Sequence, residues 1–117
     1  SAPDTHFAVV HHETTTGRLN DLHALGALCA RHGVRMLLDG VSSFGAEDIA
    51  FGTLPIAACA ATANKCLHGV PGTAFVVVNR AALAAAGGGT RSVYLDLKDY
   101  LARQDGHGTP FTQSVQT

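Results

Sequence analysis

The chain has 117 residues, 46% of them hydrophobic and 15% charged, with a formal net charge of −1. That is enough apolar material for one compact α/β unit, and the near-neutral balance holds no basic block able to track a phosphate backbone or an anionic membrane surface, so neither nucleic acid nor membrane is expected as a partner. No apolar run approaches the ~20 residues of a membrane-spanning helix, no export signal is evident, and Cys29, Cys59 and Cys66 form no CxxC pair, a usage that points to a reducing cytoplasm.

Phe7 to His12 opens as a short buried strand, with Ala8, Val9 and Val10 continuously apolar, and the polar turn Glu13 to Gly17 follows it. Asn20 or Asp21 can cap a helix that places Leu22, Leu25, Leu28 and Cys29 on one face, and His32-Gly33 supplies its stop. Val34 to Leu38 then reads as a second strand, ending on Asp39 before Gly40 and the Ser42-Ser43 turn. Together these predict a β-α-β unit, parallel and right-handed. Ile56 to Ala60 is a third apolar run that delivers Thr62 to Lys65 into a loop, and Ala74 to Val78 is a fourth. Arg80 to Ala86 reads as a helix closing on the flexible link Gly87-Gly88-Gly89, and Tyr94 to Arg103 as an amphipathic helix bearing Leu95, Leu97 and Leu101. The chain stops at Gln113 to Thr117 without a terminating signal and reads as an excerpt of a longer protein.

In parallel α/β sheets, functional groups gather where the carboxyl ends of the strands open into loops. Three such ends supply Thr14, Asp39 and Lys65. Their chemistry is complementary: Lys65 brings an amine able to form an imine and then move a proton, Asp39 a carboxylate able to pair with a protonated pyridine, and Thr14 a hydroxyl able to orient a phenolic oxygen. An unpaired carboxylate at the end of an apolar strand is costly, so Asp39 is expected to need a cationic partner. From the residues alone the inference stops at an anion or cofactor site, because a lysine is usually a solvated charge, a strand-terminal aspartate is often a turn former, and loop threonines usually bond their own backbone.

The segment His12-Glu13-Thr14-Thr15-Thr16-Gly17 resembles a stretch of the class V aminotransferases, which use pyridoxal 5′-phosphate (PLP) on fold type I. Leu38-Asp39-Gly40-Val41-Ser42-Ser43-Phe44-Gly45 is similar to the same family's strand that ends on the pyridine-binding aspartate, and Asn64-Lys65-Cys66 followed by Gly69-Val70-Pro71-Gly72 to its Schiff-base turn. The intervals Glu13 to Asp39 and Asp39 to Lys65 are equal and match the family's pattern. The resemblance implies that residues 1–117 are part of the PLP-binding large domain, a mixed, mostly parallel sheet flanked by helices, with an N-terminal segment and a C-terminal small domain outside the chain. It further implies that Lys65 carries the cofactor as a Schiff base, Asp39 pairs with its ring nitrogen, Val41 packs on the ring, Thr14 contacts the ring oxygen, Asn64 helps hold the phosphate, and Thr109, with Thr112 as second choice, reaches the phosphate of a neighbouring subunit in a homodimer. The Ser-Ser-Phe-Gly and Asn-Lys-Cys runs look most like the branch that moves the amino group of 2-aminoethylphosphonate to pyruvate; alanine:glyoxylate or serine:pyruvate chemistry is the alternative, and a truncated, catalytically incomplete domain the non-enzymatic one. The partners implied are a small amino donor and a 2-oxo acid acceptor. Gly40 departs from the alanine or serine expected there, a change expected to be harmless. The family's phosphate loop, ring-stacking aromatic and substrate-binding arginine are expected before residue 1 and after residue 117.

Other clusters invite other chemistry. His11, His12 and Glu13 are the densest group of potential metal ligands, but adjacent strand residues point to opposite faces and no HExxH or Cys/His spacing follows, so no metal is expected. His68 is expected to be a polar loop residue. Ser42 and Ser43 lack both a Gly-x-Ser-x-Gly frame and an evident activating histidine, which counts against a hydrolase.

Overall fold

The computed structural model describes residues 6–87 and 90–112. The chain divides into two compact units, Ser1–Asn79 and Arg80–Thr117.

The first unit is built on a four-stranded sheet of β1 (His6–Val10), β4 (Arg35–Asp39), β5 (Ile56–Thr62) and β6 (Ala74–Val78), in that spatial order. β1, β4 and β5 are mutually parallel, and β6 closes the edge antiparallel to β5. Between β1 and β4 the chain makes a small hairpin of β2 (His12–Glu13) and β3 (Arg18–Leu19), then the crossover helix α1 (Leu22–Arg31). Asp21 begins α1 by accepting a hydrogen bond from the Ala24 amide at 3.0 Å, the expected N-cap arrangement. The buried positions Leu22, Gly26 and Cys29 form the helix's inward stripe, and His32 ends it by donating its amide to the Cys29 carbonyl.

Strand alternation decides what is core. Met36 and Leu38 point inward with Ile56 and Cys59 and pack with Leu22 and Cys29 of α1, while Arg35, Leu37 and Asp39 point outward. Phe44, in the loop after Asp39, packs edge-on against Phe75 of β6 with ring centroids 5.1 Å apart, pinning that loop over the sheet.

Gly40 belongs to this packing. A Cβ at Gly40 would lie 2.8 Å from Sγ of the fully buried Cys59, closer than real Cβ contacts come, so one of the two would have to shift. The small residue that follows β4 and the larger one on β5 fit together. Gly40→Ala is expected to lower stability by about 1–3 kcal/mol through overpacking, and adding Cys59→Ala to recover most of it. Urea midpoints of the single and double variants check this; an unchanged midpoint for Gly40→Ala would contradict the fit.

The second unit holds α2 (Arg80–Ala85) and α3 (Leu97–Asp105). Helix α3 starts three residues later than its apolar pattern predicts because Asp96 caps it, its carboxylate accepting from the Lys98 amide at 2.9 Å; Leu95 is left outside the helix and exposed. Arg80 and Asp105 form a two-pronged ion pair at 2.8 Å, and Tyr94, Tyr100 and Phe111 form a ring cluster. The Arg80–Asp105 pair is exposed and contributes little to stability. Gly88 and Gly89 of the glycine link, and Gln113 to Thr117, lie outside the described residues. Among the described residues no helix is long and apolar enough to cross a membrane.

Candidate functional site

The ladder aligns Val10 of β1 with Asp39 of β4, and Asp39 with Ala60 of β5, so β1 and β4 end level and β5 runs two residues further, to Thr62, at the same end of the sheet. The loops leaving that common edge carry Thr14, Asp39–Val41 and Asn64–Lys65. The expected site residues of the first unit therefore emerge at one end of one sheet.

Each loop is held by its own hydrogen bonds. In the β2–β3 hairpin, Glu13 Oε1 accepts from the Thr15 amide at 2.9 Å and from its hydroxyl at 2.7 Å, leaving Thr14 exposed at the turn. These bonds, the backbone one first, hold the Glu13 carboxyl below its ordinary pKa. Asp39 Oδ1 accepts from the Val41 amide at 3.0 Å, which turns the chain sharply as it leaves β4. After β5, Gly69 donates its amide to Ala63 at 2.7 Å and His68 to Lys65 at 3.0 Å, closing a tight turn with Asn64 and Lys65 exposed on it. His68 is an exposed turn residue with a left-handed backbone (φ 57°).

Two contacts then tie the loops together. A Cβ on Gly45, whose φ is 93°, would meet Leu67 Cδ2 at 2.7 Å, so the Asp39 loop lies directly against the Lys65 turn. Ser42 offers its carbonyl to both other loops: His12 Nδ1 donates to it at 3.1 Å and Cys66 Sγ at 3.5 Å. One residue further on, the buried Ser43 hydroxyl shares a 2.9 Å hydrogen bond with Nδ1 of His11, itself only 4% exposed.

A histidine does therefore reach a serine, contrary to expectation. The sequence conceals the pairing because the partners lie far apart along the chain and meet only when β1 and β4 align. It still makes no hydrolase: Ser43 is 0% exposed and closed to substrate. Burial, opposed in part by Glu47, lowers the His11 pKa, and burial followed by the nearby Asp39 carboxylate pushes the Cys59 thiol up to about 11, so both stay neutral near pH 7. No cluster of three or more His, Cys, Asp or Glu that could hold a metal occurs among the described residues.

Asp39 differs from expectation in one respect. It lies on the sheet face opposite α1, where Val10, Leu37 and Val76 are also exposed, so its carboxylate is solvated and no ion pair to it forms among the described residues. The desolvation that would demand a cation does not operate on an exposed group.

Thr62 joins the site without having stood out in the sequence. Two positions beyond Ala60 on β5, it shares the Asp39 face, and its Oγ1 is buried with no hydrogen-bond partner, alone in this among the described residues. The signal available is a hydroxyl at a strand end three residues before the lysine. Thr109 lies in the second unit, where its hydroxyl donates to the Phe111 carbonyl at 2.6 Å.

The family described as Aminotransferase class-V matches residues 3–115. The chain is 55% identical over 93 residues to a 2-aminoethylphosphonate–pyruvate transaminase of Aeromonas hydrophila, covering 80% of this chain and 24% of that protein. It is 45% identical over 115 residues to a transaminase of the same name from Salmonella agona, covering 97% and 31%. Among solved structures, a subgroup IV aspartate aminotransferase from Thermus thermophilus superposes with a TM-score of 0.83 at 30% identity, covering 94% of this chain and 32% of that one. The chain thus spans between about a quarter and a third of the length of these relatives. Its mixed, mainly parallel sheet and its matched residues make it a member of the class V aminotransferases, a PLP-dependent family.

Proposed function

We propose that the intact protein transfers the amino group of 2-aminoethylphosphonate to pyruvate, giving phosphonoacetaldehyde and alanine. The observation that carries this is the convergence of the Thr14, Asp39 and Lys65 loops on Ser42–Ser43 at one end of the sheet. The two named transaminase relatives support the choice of substrates. In this proposal residues 1–117 form part of the large domain of a cytoplasmic homodimer whose subunits share active sites, and neither nucleic acid nor membrane takes part.

The residues present fit PLP. The unpartnered, buried Thr62 hydroxyl is a polar group awaiting an acceptor on the same face as Asp39, three residues from an exposed lysine amine. When bound, PLP supplies a carbon that takes up amines and a protonated ring that withdraws electrons from them. Lys65 would hold the cofactor through its amine, and its Nζ, when free, would take the proton from the donor carbon. Asp39 keeps the ring nitrogen protonated by placing a negative charge beside it, and the amide of Val41 holds that carboxylate in orientation. Val41 would pack on the ring, Thr14 would orient the ring oxygen, Asn64 would steady the phosphate, and Thr109 would reach the phosphate held by the partner subunit.

Amino-donor preference tests the substrate. The full-length protein is expected to convert 2-aminoethylphosphonate with pyruvate at a kcat/KM at least about tenfold above that for alanine with glyoxylate or serine with pyruvate, a discrimination of ~1.4 kcal/mol. Preference for either alternative pair would move the protein to another branch of the family while leaving the cofactor residues in place.

A further inference from the structure

His11 is hydrogen-bonded to three parts of the site. Its amide donates to the Asp39 carbonyl at 2.9 Å, continuing the β1–β4 ladder one step beyond the strands. Its carbonyl accepts from the Asn20 amide at 2.8 Å, and Asn20 also donates its side chain to Val10, so the base of the Thr14 hairpin closes on this one residue. Its imidazole reaches Ser43 at 2.9 Å, and the Ser43 carbonyl in turn accepts from the amides of Ala46 and Glu47. One buried side chain thus links the hairpin that carries Thr14 to the loop that carries Asp39 and Val41. Both partners of the imidazole–hydroxyl bond are shut off from water, so neither finds a substitute when the other is removed.

We propose that His11 is a positioning residue for the cofactor site: its hydrogen bond to Ser43 fixes the separation of the Thr14 hairpin and the Asp39–Val41 loop before the cofactor enters. This rests on the function proposed above. Without the bond, the hydrogen bonds left between the two loops among the described residues are the backbone bond from His11 to Asp39 and that of His12 on the Ser42 carbonyl, and the pocket must be ordered at the moment of binding, which costs affinity.

The test uses the full-length protein and PLP itself, reading the apparent dissociation constant from visible absorption alongside the thermal midpoint. His11→Leu and Ser43→Ala are each expected to weaken PLP binding about tenfold, and the double variant to be no worse than the poorer single one, because both changes remove the same bond. His11→Asn, whose amide stands where Nδ1 stood, is expected to restore affinity to within about threefold of wild type. Ser43→Ala removes only a hydroxyl and carries the test if His11→Leu does not fold. Wild-type affinity in Ser43→Ala with a lowered thermal midpoint would overturn the proposal and leave the bond a merely structural one; so would additive losses in the double variant. Wild-type protein that takes up no PLP would overturn the functional reading and this proposal together, whereas wild-type binding with unaffected variants would overturn this proposal alone.

Discussion

Lys65→Ala is expected to abolish transamination by the intact protein without unfolding it. In the proposed role, loss of a proton-transferring group alone costs about 10²–10⁴-fold, and loss of an amine that would hold the cofactor adds to that. Stability is expected to change by no more than about 0.5 kcal/mol, since the side chain is exposed and the turn around it is closed by backbone bonds from Gly69 to Ala63 and from His68 to Lys65. Single-turnover rates with 2-aminoethylphosphonate, read beside urea midpoints, separate the two effects. A variant that retains activity within tenfold of wild type would remove Lys65 from its role.

Asp39→Asn carries the second large effect. Asparagine keeps the shape of the side chain and an oxygen able to accept from the Val41 amide, so the sharp turn after β4 is preserved. What disappears is the charge. If Asp39 has the proposed role, a cofactor ring nitrogen without its negative partner would give up its proton more readily and withdraw electrons less well, and kcat is expected to fall by about 10²–10³-fold, the scale on which one preorganised electrostatic contact acts. The thermal midpoint is expected to stay near wild type, because Asp39 is exposed and forms no ion pair among the described residues. A matching fall in midpoint and rate would instead mark a structural aspartate.

The sequence shows some of this structure plainly and hides other parts for physical reasons. β6 lies where its apolar run predicts, and Asp21 caps α1 as one of the two residues able to do so. The two-residue strands β2 and β3 are invisible in the pattern because a pair of residues has no periodicity, and the turn between them is polar whether or not its flanks pair. The apolar stripe starts helix α3 too early because Leu95 fits it, whereas the Asp96 carboxylate decides the start. At the site, Thr14, Asp39 and Lys65 are legible as strand-end groups. The buried pair His11–Ser43 and the unpartnered Thr62 hydroxyl are not, since both depend on which face a residue takes and on what another strand brings opposite it. Gly40 shows the same limit: its smallness acquires meaning only beside Cys59.

The chain contains two lysines, Lys65 on the strand-end turn and Lys98 in α3, whose Nζ donates to the Ala86 carbonyl at 2.7 Å. Borohydride reduction of the full-length protein with PLP, followed by peptide mass analysis, distinguishes them and tests the site most directly. Loss of the visible absorption band and a reduced pyridoxyl adduct on the peptide containing Lys65 are expected. An adduct on Lys98 or elsewhere, or no adduct at all, would contradict the role proposed for Lys65.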